Sequence, residues 1–222
     1  MLRQQLLDTS RGRIVTLLQR GALTVDDIAA ELAITANAVR AQITAMERDG
    51  VVRRVGRRPG VTRPFHVFEL TPEVEQLLSQ AYLPLLTQLV QVFANALPPE
   101  QVEALMRTAG KGLARDLPSG KPTVGASLRS RVTAASELLN KHLGAVTHVE
   151  GNGGYVILGA GCPLAALTGK HPAVCLAMES LVTEVVGVDV SECCDRTGRP
   201  KCCFEIKGNG QATDHRPRRQ RV

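Results

Sequence analysis

Apolar positions recur at helical spacing through the first fifty residues and then give way to short alternating runs. Ile14, Leu17 and Leu18 share one face of a helix predicted from Ser10 to Arg20, with Gly21 as its stop. Thr24 opens a second helix. Asp26 and Asp27 in its first turn suit the positive end of the helix dipole, and Ile28, Ala29 and Leu32 form its buried stripe. Only Ala33 and Ile34 separate it from Thr35, which caps a third helix running to Asp49. In that helix Val39, Ile43 and Met46 recur at i, i+4 and i+7, which leaves Asn37, Arg40, Ala41 and Thr44 on the outer face. Two short helices about so tight a turn, followed by Gly50, have the pattern of a helix-turn-helix, although Ala33 stands where many such turns carry glycine. Val51 to Val55 and Phe65 to Leu70 then read as strands. Between them the Gly/Pro-punctuated, arginine-rich stretch from Gly56 to Pro64 makes the tip of a β-hairpin, a wing.

The remaining pattern predicts helices and antiparallel strands. Thr71-Pro72-Glu73 is a helix start, with proline at the first position and an acid in the first turn. A long apolar stripe from Val74 to Phe93 follows, and Pro84 is expected to kink or divide it. So apolar a segment directly after a wing suits a homodimer interface, since readers of two-fold DNA sites are commonly dimeric. Further helices are expected from Pro99 to Arg115 and from Ser127 to His142, joined by a Pro/Gly-rich hinge from Leu117 to Gly125. Val146 to Val149 and Tyr155 to Leu158 flank Gly151-Asn152-Gly153-Gly154 as a hairpin. A helix near Val174 to Val186 precedes a last strand pair, Val188 to Cys194 and Cys202 to Ile206, about the turn Arg196 to Pro200. The expected class is α+β. Four regions follow: a winged helix-turn-helix at 1–71, a helical linker and dimerisation region at 72–116, an α+β sensor domain at 125–206 and a basic, disordered tail at 207–222.

Charge sharpens this division. The first 70 residues hold 11 Lys/Arg against 7 Asp/Glu, and six of those 11 lie between Arg48 and Arg63. A basic head suits a polyanion. Double-stranded DNA is the expected partner, read in the major groove by Thr35, Asn37, Arg40 and Thr44 of the third helix. Arg57, Arg58 and Arg63 of the wing would grip phosphates or the minor groove. Aromatic residues make up only 3% of the chain and tryptophan is absent, which argues against a base-stacking platform for single strands. No apolar run reaches a membrane span and the N-terminus is too polar for a secretory signal, so a cytoplasmic location without membrane attachment is expected.

All six cysteines fall between positions 162 and 203: Cys162, Cys175, Cys193, Cys194, Cys202 and Cys203. Such clustering in a cytoplasmic chain points to metal or redox chemistry. Twelve residues separate Cys162 from Cys175, and twenty-seven separate Cys175 from Cys203. Together with the winged helix and the sequence Gly161-Cys162-Pro163, this spacing resembles the SufR-like repressors, iron–sulfur regulators of bacterial cluster-assembly operons. The resemblance covers residues from about 10 to 206. It implies an iron–sulfur cluster in each subunit of a dimer, 4Fe-4S ahead of 2Fe-2S, with Cys162, Cys175 and Cys203 as ligands and the holo form repressing. Within the pairs Cys193-Cys194 and Cys202-Cys203 either member can be the ligand. Neighbours on an extended strand point to opposite faces, so one of each pair is expected at a common site. Cys193, Cys194 or Cys202 can supply a fourth sulfur; otherwise the fourth donor is oxygen or nitrogen. Thiolates suit both iron–sulfur clusters and zinc, but the short C-x₂₋₄-C spacing common in structural zinc sites is absent.

No nucleophile–base constellation is legible, and the expectation is a regulator, not an enzyme. Lys121 follows Ser119-Gly120, but Arg115 stands where a phosphate-binding loop needs its first glycine, and Pro122 displaces the hydroxyl. The alternatives are a winged-helix regulator governed by a small organic effector, or one governed by thiol redox chemistry or zinc.

Overall fold

The computed structural model describes residues 5, 7–60, 64–118, 125–151 and 154–207. Residues 1–83 and 84–222 form two compact units.

The first unit begins with α1 (Ser10–Leu18), capped by the Thr9 hydroxyl rather than by Ser10; Thr9 Oγ1 accepts the Gly12 N–H at 3.0 Å. A two-residue strand β1 (Leu23–Thr24) leads into α2 (Val25–Leu32). There Thr24 and Asp27 form a reciprocal capping box: Asp27 N–H donates to Thr24 Oγ1 and Thr24 N–H donates to Asp27 Oδ2. Helix α2 ends at Ala33, held in the left-handed region at φ 53°. Next, α3 (Ala36–Arg48) is capped by Thr35. The hairpin of β2 (Val52–Arg58) and β3 (Phe65–Leu70) is longer than its sequence suggested, because Gly56, Arg57 and Arg58 stay paired beyond a bulge between Arg54 and Gly56. The sheet order is β1-β3-β2. Ile14, Ile28, Val39, Ile43, Met46 and Phe68 bury together at its centre, the stripes anticipated from helical spacing.

The apolar stripe after the wing is divided, but three residues before Pro84. Helix α4 (Pro72–Leu78) ends at Ser79, and α5 (Tyr82–Ala96) takes Pro84 into its first turn, where a missing N–H costs nothing. Val74 and Leu78 of α4 pack on the first unit's core. The segment expected as one region at 72–116 is therefore shared between the two units.

In the second unit, α6 (Pro99–Asp116) lies along α9 (Cys175–Val186). Their approach is close enough at Gly110 that a Cβ there would sit 2.0 Å from the Ala177 carbonyl oxygen. Helix α7 (Leu128–Leu143) starts at the expected Ser127 cap. Strands β4 (Thr147–Gly151), β5 (Tyr155–Gly159), β6 (Val190–Glu192) and β7 (Cys203–Ile206) form an antiparallel sheet ordered β4-β5-β7-β6. A short helix, α8 (Ala165–Thr168), and a 3₁₀ turn at Pro172–Val174 lead into α9. Val132 and Leu139 of α7 and Leu181 and Val182 of α9 pack on Ile157, Phe204 and Ile206 of the sheet. Each such buried side chain contributes about 1.5–3 kcal/mol. No single helix among the described residues is long and apolar enough to cross a membrane; only the bent pair α4 and α5 carries that much apolar length between them.

Candidate functional site

Two places gather chemistry, one in each unit. On the first, the outer face of α3 stands free of the core. Arg40 Nη1 donates to Asn37 Oδ1 at 2.7 Å, so two of the expected base-reading side chains are pre-aligned on one exposed face. The Thr35 hydroxyl accepts the Ala38 N–H at 3.2 Å, which occupies one lone pair in capping the helix. Thr44 and Arg40 line a groove of about 480 Å³ between α3 and the wing, with Arg54, Phe65 and His66 on its far side. Arg58 is held by Asp27 at 2.9 Å, while Arg57 has no ion-pair partner among the described residues. Arg63 lies outside the described residues. Arg54 was not anticipated: it pairs with Glu47 at 2.9 Å and lies over the Phe68 ring. The carboxyl of Asp27 is held below its ordinary range, chiefly by the Thr24 backbone N–H and further by the Thr24 hydroxyl and Arg58.

The second place lies where the β6–β7 hairpin meets the N-terminus of α9. Glu192 and Cys194 on one arm and Cys175 on the helix bring their donor atoms within 4.8 Å of one another. Strand alternation explains the selection. Cys202, just before β7, shares the parity of Phe204 and Ile206 on the strand, and all three are buried, at 5%, 1% and 3% exposure. Cys203 therefore faces away, and across the strand pair Cys194 faces inward while Cys193 faces out. Cys175 and Cys194 therefore meet on the inner face, and the buried Cys202 is close enough to Cys194 to affect its titration. The outer pair, Cys193 and Cys203, is joined as a disulfide. Parity counted from Phe204 and Ile206 was the signal that could have separated the adjacent pairs; the five-residue turn from Arg196 to Pro200 hid the matching parity on the other arm.

The local hydrogen bonds hold this arrangement. Cys203 N–H donates to Cys194 Sγ at 3.4 Å. Glu192 accepts the Cys194 N–H at 3.4 Å and the Arg196 guanidinium, and its own N–H donates to Glu179 at 2.9 Å. Arg107 of α6 grips Glu179 at 2.5 Å. The Cys175 thiol is pushed up from its ordinary value by its hydrogen bond with Cys194 and by burial, against the pull of Arg196. At Cys194 the hydrogen bond with Cys175 pulls down, but the bond with Cys202 and burial outweigh it and push the thiol up to about 12. Without metal both thiols are thus neutral donors.

Of the three ligands expected from the family spacing, Cys175 lies in this pocket. Cys203 has its sulfur committed to Cys193. Cys162 is half-buried and lines a neighbouring recess with Gly161, Arg199 and Pro200. Its loop nevertheless touches the hairpin, since Cys202 N–H donates to the Gly161 carbonyl at 3.4 Å. Two soft thiols with one carboxylate, and a third thiol at Cys202 next to Cys194, are a donor set suited to an iron–sulfur cluster or another thiophilic metal. Cys175, Cys194 and Glu192 would hold it, with Cys202 in reserve.

Comparison with known proteins reaches the first unit alone at the family level. No curated protein matches this chain. Among solved structures it is similar to an apo mutant of Lactococcus lactis ZitR, with 17% identity, 46% of this chain and 77% of that chain covered, and a TM-score of 0.28. Residues 3–56 match the family described as the DprA winged helix domain. With α2, α3 and the β2–β3 hairpin as described, the chain is an α+β protein that opens with a winged helix.

Proposed function

We propose that this chain is a homodimeric, DNA-binding transcriptional repressor of iron–sulfur cluster biogenesis genes, whose second unit senses a cluster. The observation that carries the reading is the convergence of Cys175, Cys194 and Glu192 within 4.8 Å, with Cys202 beside them. The choice of cluster and target comes from the SufR-like resemblance as a whole, a winged helix followed by a cysteine-rich C-terminal part, since its spacing shares only Cys175 with the group that converges here. In this reading Cys175, Cys194 and Cys202 are the thiolate ligands. They take the place of the expected Cys162 and Cys203, of which Cys203 becomes a free thiol only if its disulfide is reduced. When bound, the cluster supplies a redox- and oxygen-sensitive centre whose presence reports iron and sulfide supply.

The chain's own residues do the rest. Asn37, Arg40 and Thr44 face the major groove, and Arg57 and Arg58 face phosphates, with Thr35 holding the N-terminus of the recognition helix. Helix α5 supports the dimer: it has no charged side chain, Val90 alone is buried, and Tyr82, Leu85, Leu86, Leu89, Val92 and Phe93 are all exposed. A dimer would align two winged helices on a two-fold operator.

One observation favours a second reading. Two thiolates on one tetrahedral ion stand about 3.8 Å apart for a Zn–S bond of about 2.3 Å. The donor atoms of Cys175, Glu192 and Cys194 lie within 4.8 Å of one another, a span that a small inward movement would fit to one ion, so a single zinc-like ion is the alternative.

Iron and acid-labile sulfide analysis of anaerobically prepared protein decides between them. Matching iron and sulfide, both lost in Cys175→Ser, is the expected result; zinc without sulfide favours the second reading, and a metal-free protein with operator affinity unchanged by iron and sulfide overturns both.

A further inference from the structure

Among the three converging groups Glu192 is the hard donor, and hydrogen bonds hold both its backbone and its carboxylate. Its side chain is only 19% exposed. Its backbone N–H is fixed by Glu179, which Arg107 in turn fixes from α6. One carboxylate oxygen accepts the Cys194 N–H, and the other accepts the Arg196 guanidinium. A largely buried carboxylate needs a counter-charge, and here Arg196 supplies it to one of the three groups that converge as a metal site. The same guanidinium also acts electrostatically on the Cys175 thiol.

We propose that Glu192 is the oxygen ligand of the metal centre and that Arg196 is a latch, holding the Glu192 carboxylate while the centre is absent. The proposal rests on the reading of this pocket as the sensor site. Binding is a ligand exchange. The Glu192 carboxylate would give up its ion pair with Arg196 to take the metal, the ligating thiols would release their protons to solvent, and the freed guanidinium would turn to water. Loss of the centre runs the exchange backwards. A single carboxylate among thiolates is the mismatched donor on a soft centre, which makes its corner the first to open. Lability of this kind is what a sensor requires, and four thiolates would not supply it.

The test uses the full chain, reconstituted anaerobically with iron and sulfide, in wild-type, Glu192→Gln, Glu192→Cys and Arg196→Gln forms. Circular dichroism checks that each is folded. Iron and sulfide content are measured, and the cluster's visible absorption is followed after an iron chelator is added. Glu192→Gln is expected to lose its centre about tenfold faster than wild type, the scale at which groups around a metal act. Glu192→Cys is expected to lose it correspondingly more slowly, and Arg196→Gln to load faster. Loss rates for Glu192→Gln and Glu192→Cys equal to wild type would overturn the proposal. If the wild-type chain takes up no iron and sulfide, the cluster reading falls and a cobalt(II) titration decides this proposal separately. Cobalt affinity about tenfold weaker in Glu192→Gln upholds Glu192 as a ligand, whereas unchanged affinity overturns it.

Discussion

Ala33 shows how a single side chain can sit at odds with its backbone. It occupies the left-handed region at the turn between the two helices of the helix-turn-helix. A non-glycine residue there costs about 1–2 kcal/mol, and glycine loses about 0.5–1 kcal/mol of that gain through its greater freedom when unfolded. Ala33→Gly is therefore expected to stabilise the winged helix by up to about 1 kcal/mol, read from the midpoint of urea unfolding. Asp27 joins stability to DNA binding. Its carboxyl titrates below the ordinary 3.8, so its contribution is fully present above the unfolded value and is lost as pH falls through the folded one. Asp27→Asn should remove that part of the acid-side slope in an unfolding series below about pH 4, at a cost near 1 kcal/mol for the weakened cap. The same change frees Arg58 for phosphate and should tighten nonspecific DNA binding at low salt. Arg58→Ala should weaken binding to all sequences and lower the salt slope by about one, whereas Arg40→Ala should cost about 1–3 kcal/mol on the operator and relax its specificity.

Packing between elements gives firmer expectations than any one side chain. The contact of α6 with α9 depends on Gly110, where a methyl group would meet backbone and not the end of a flexible side chain. Gly110→Ala should destabilise the second unit by about 2–3 kcal/mol, visible as a lower melting temperature with the winged helix unaffected. For α5, an uncharged helix with one buried residue is expected to be covered by a second copy. Leu86→Glu with Leu89→Glu should convert a dimer to a monomer in sedimentation experiments; an unchanged sedimentation coefficient would remove α5 from the interface. The β6–β7 hairpin sorts its cysteines by pleat, the outer pair crosslinked and the inner pair buried or half-buried, with Cys194 turned to Cys175. Local turn chemistry supports it, as Asp195 accepts hydrogen bonds from the Thr197 backbone N–H and hydroxyl at the start of the loop.

For the protein to act as a sensor, occupancy at the thiols must change what the winged helices do. Glu179 supplies a physical connection within the second unit, because Arg107 of α6 and the Glu192 backbone both end on it. A coupling of about 1–3 kcal/mol, typical between linked sites, would change operator affinity by about 5–150-fold between loaded and metal-free protein. Titration of an operator duplex with both forms measures it directly. Affinities within twofold of each other would leave the thiol site without a regulatory role, and Arg107→Ala with normal metal content should shrink the difference.

Much of this architecture was legible before any coordinates. The caps at Thr24, Thr35 and Ser127, the buried stripe Val39, Ile43 and Met46, and the basic hairpin all follow from periodicity and chemistry within a few turns of chain, where cause and consequence are adjacent. The amino-acid order by itself therefore determined a winged helix, an α+β body and a cysteine-bearing C-terminal part. It did not determine which thiols meet. Cys175 and Cys194 converge only once β7 has taken its register on β5 and the hairpin has closed against α9, and one residue of slip would turn the other member of each pair inward. Glu192 and Arg196 carried no signal for the same reason: a carboxylate and a guanidinium four residues apart look like any surface ion pair until long-range pairing buries one of them beside sulfur. Contacts between distant segments belong to the closed chain, and that closure alone chose the site.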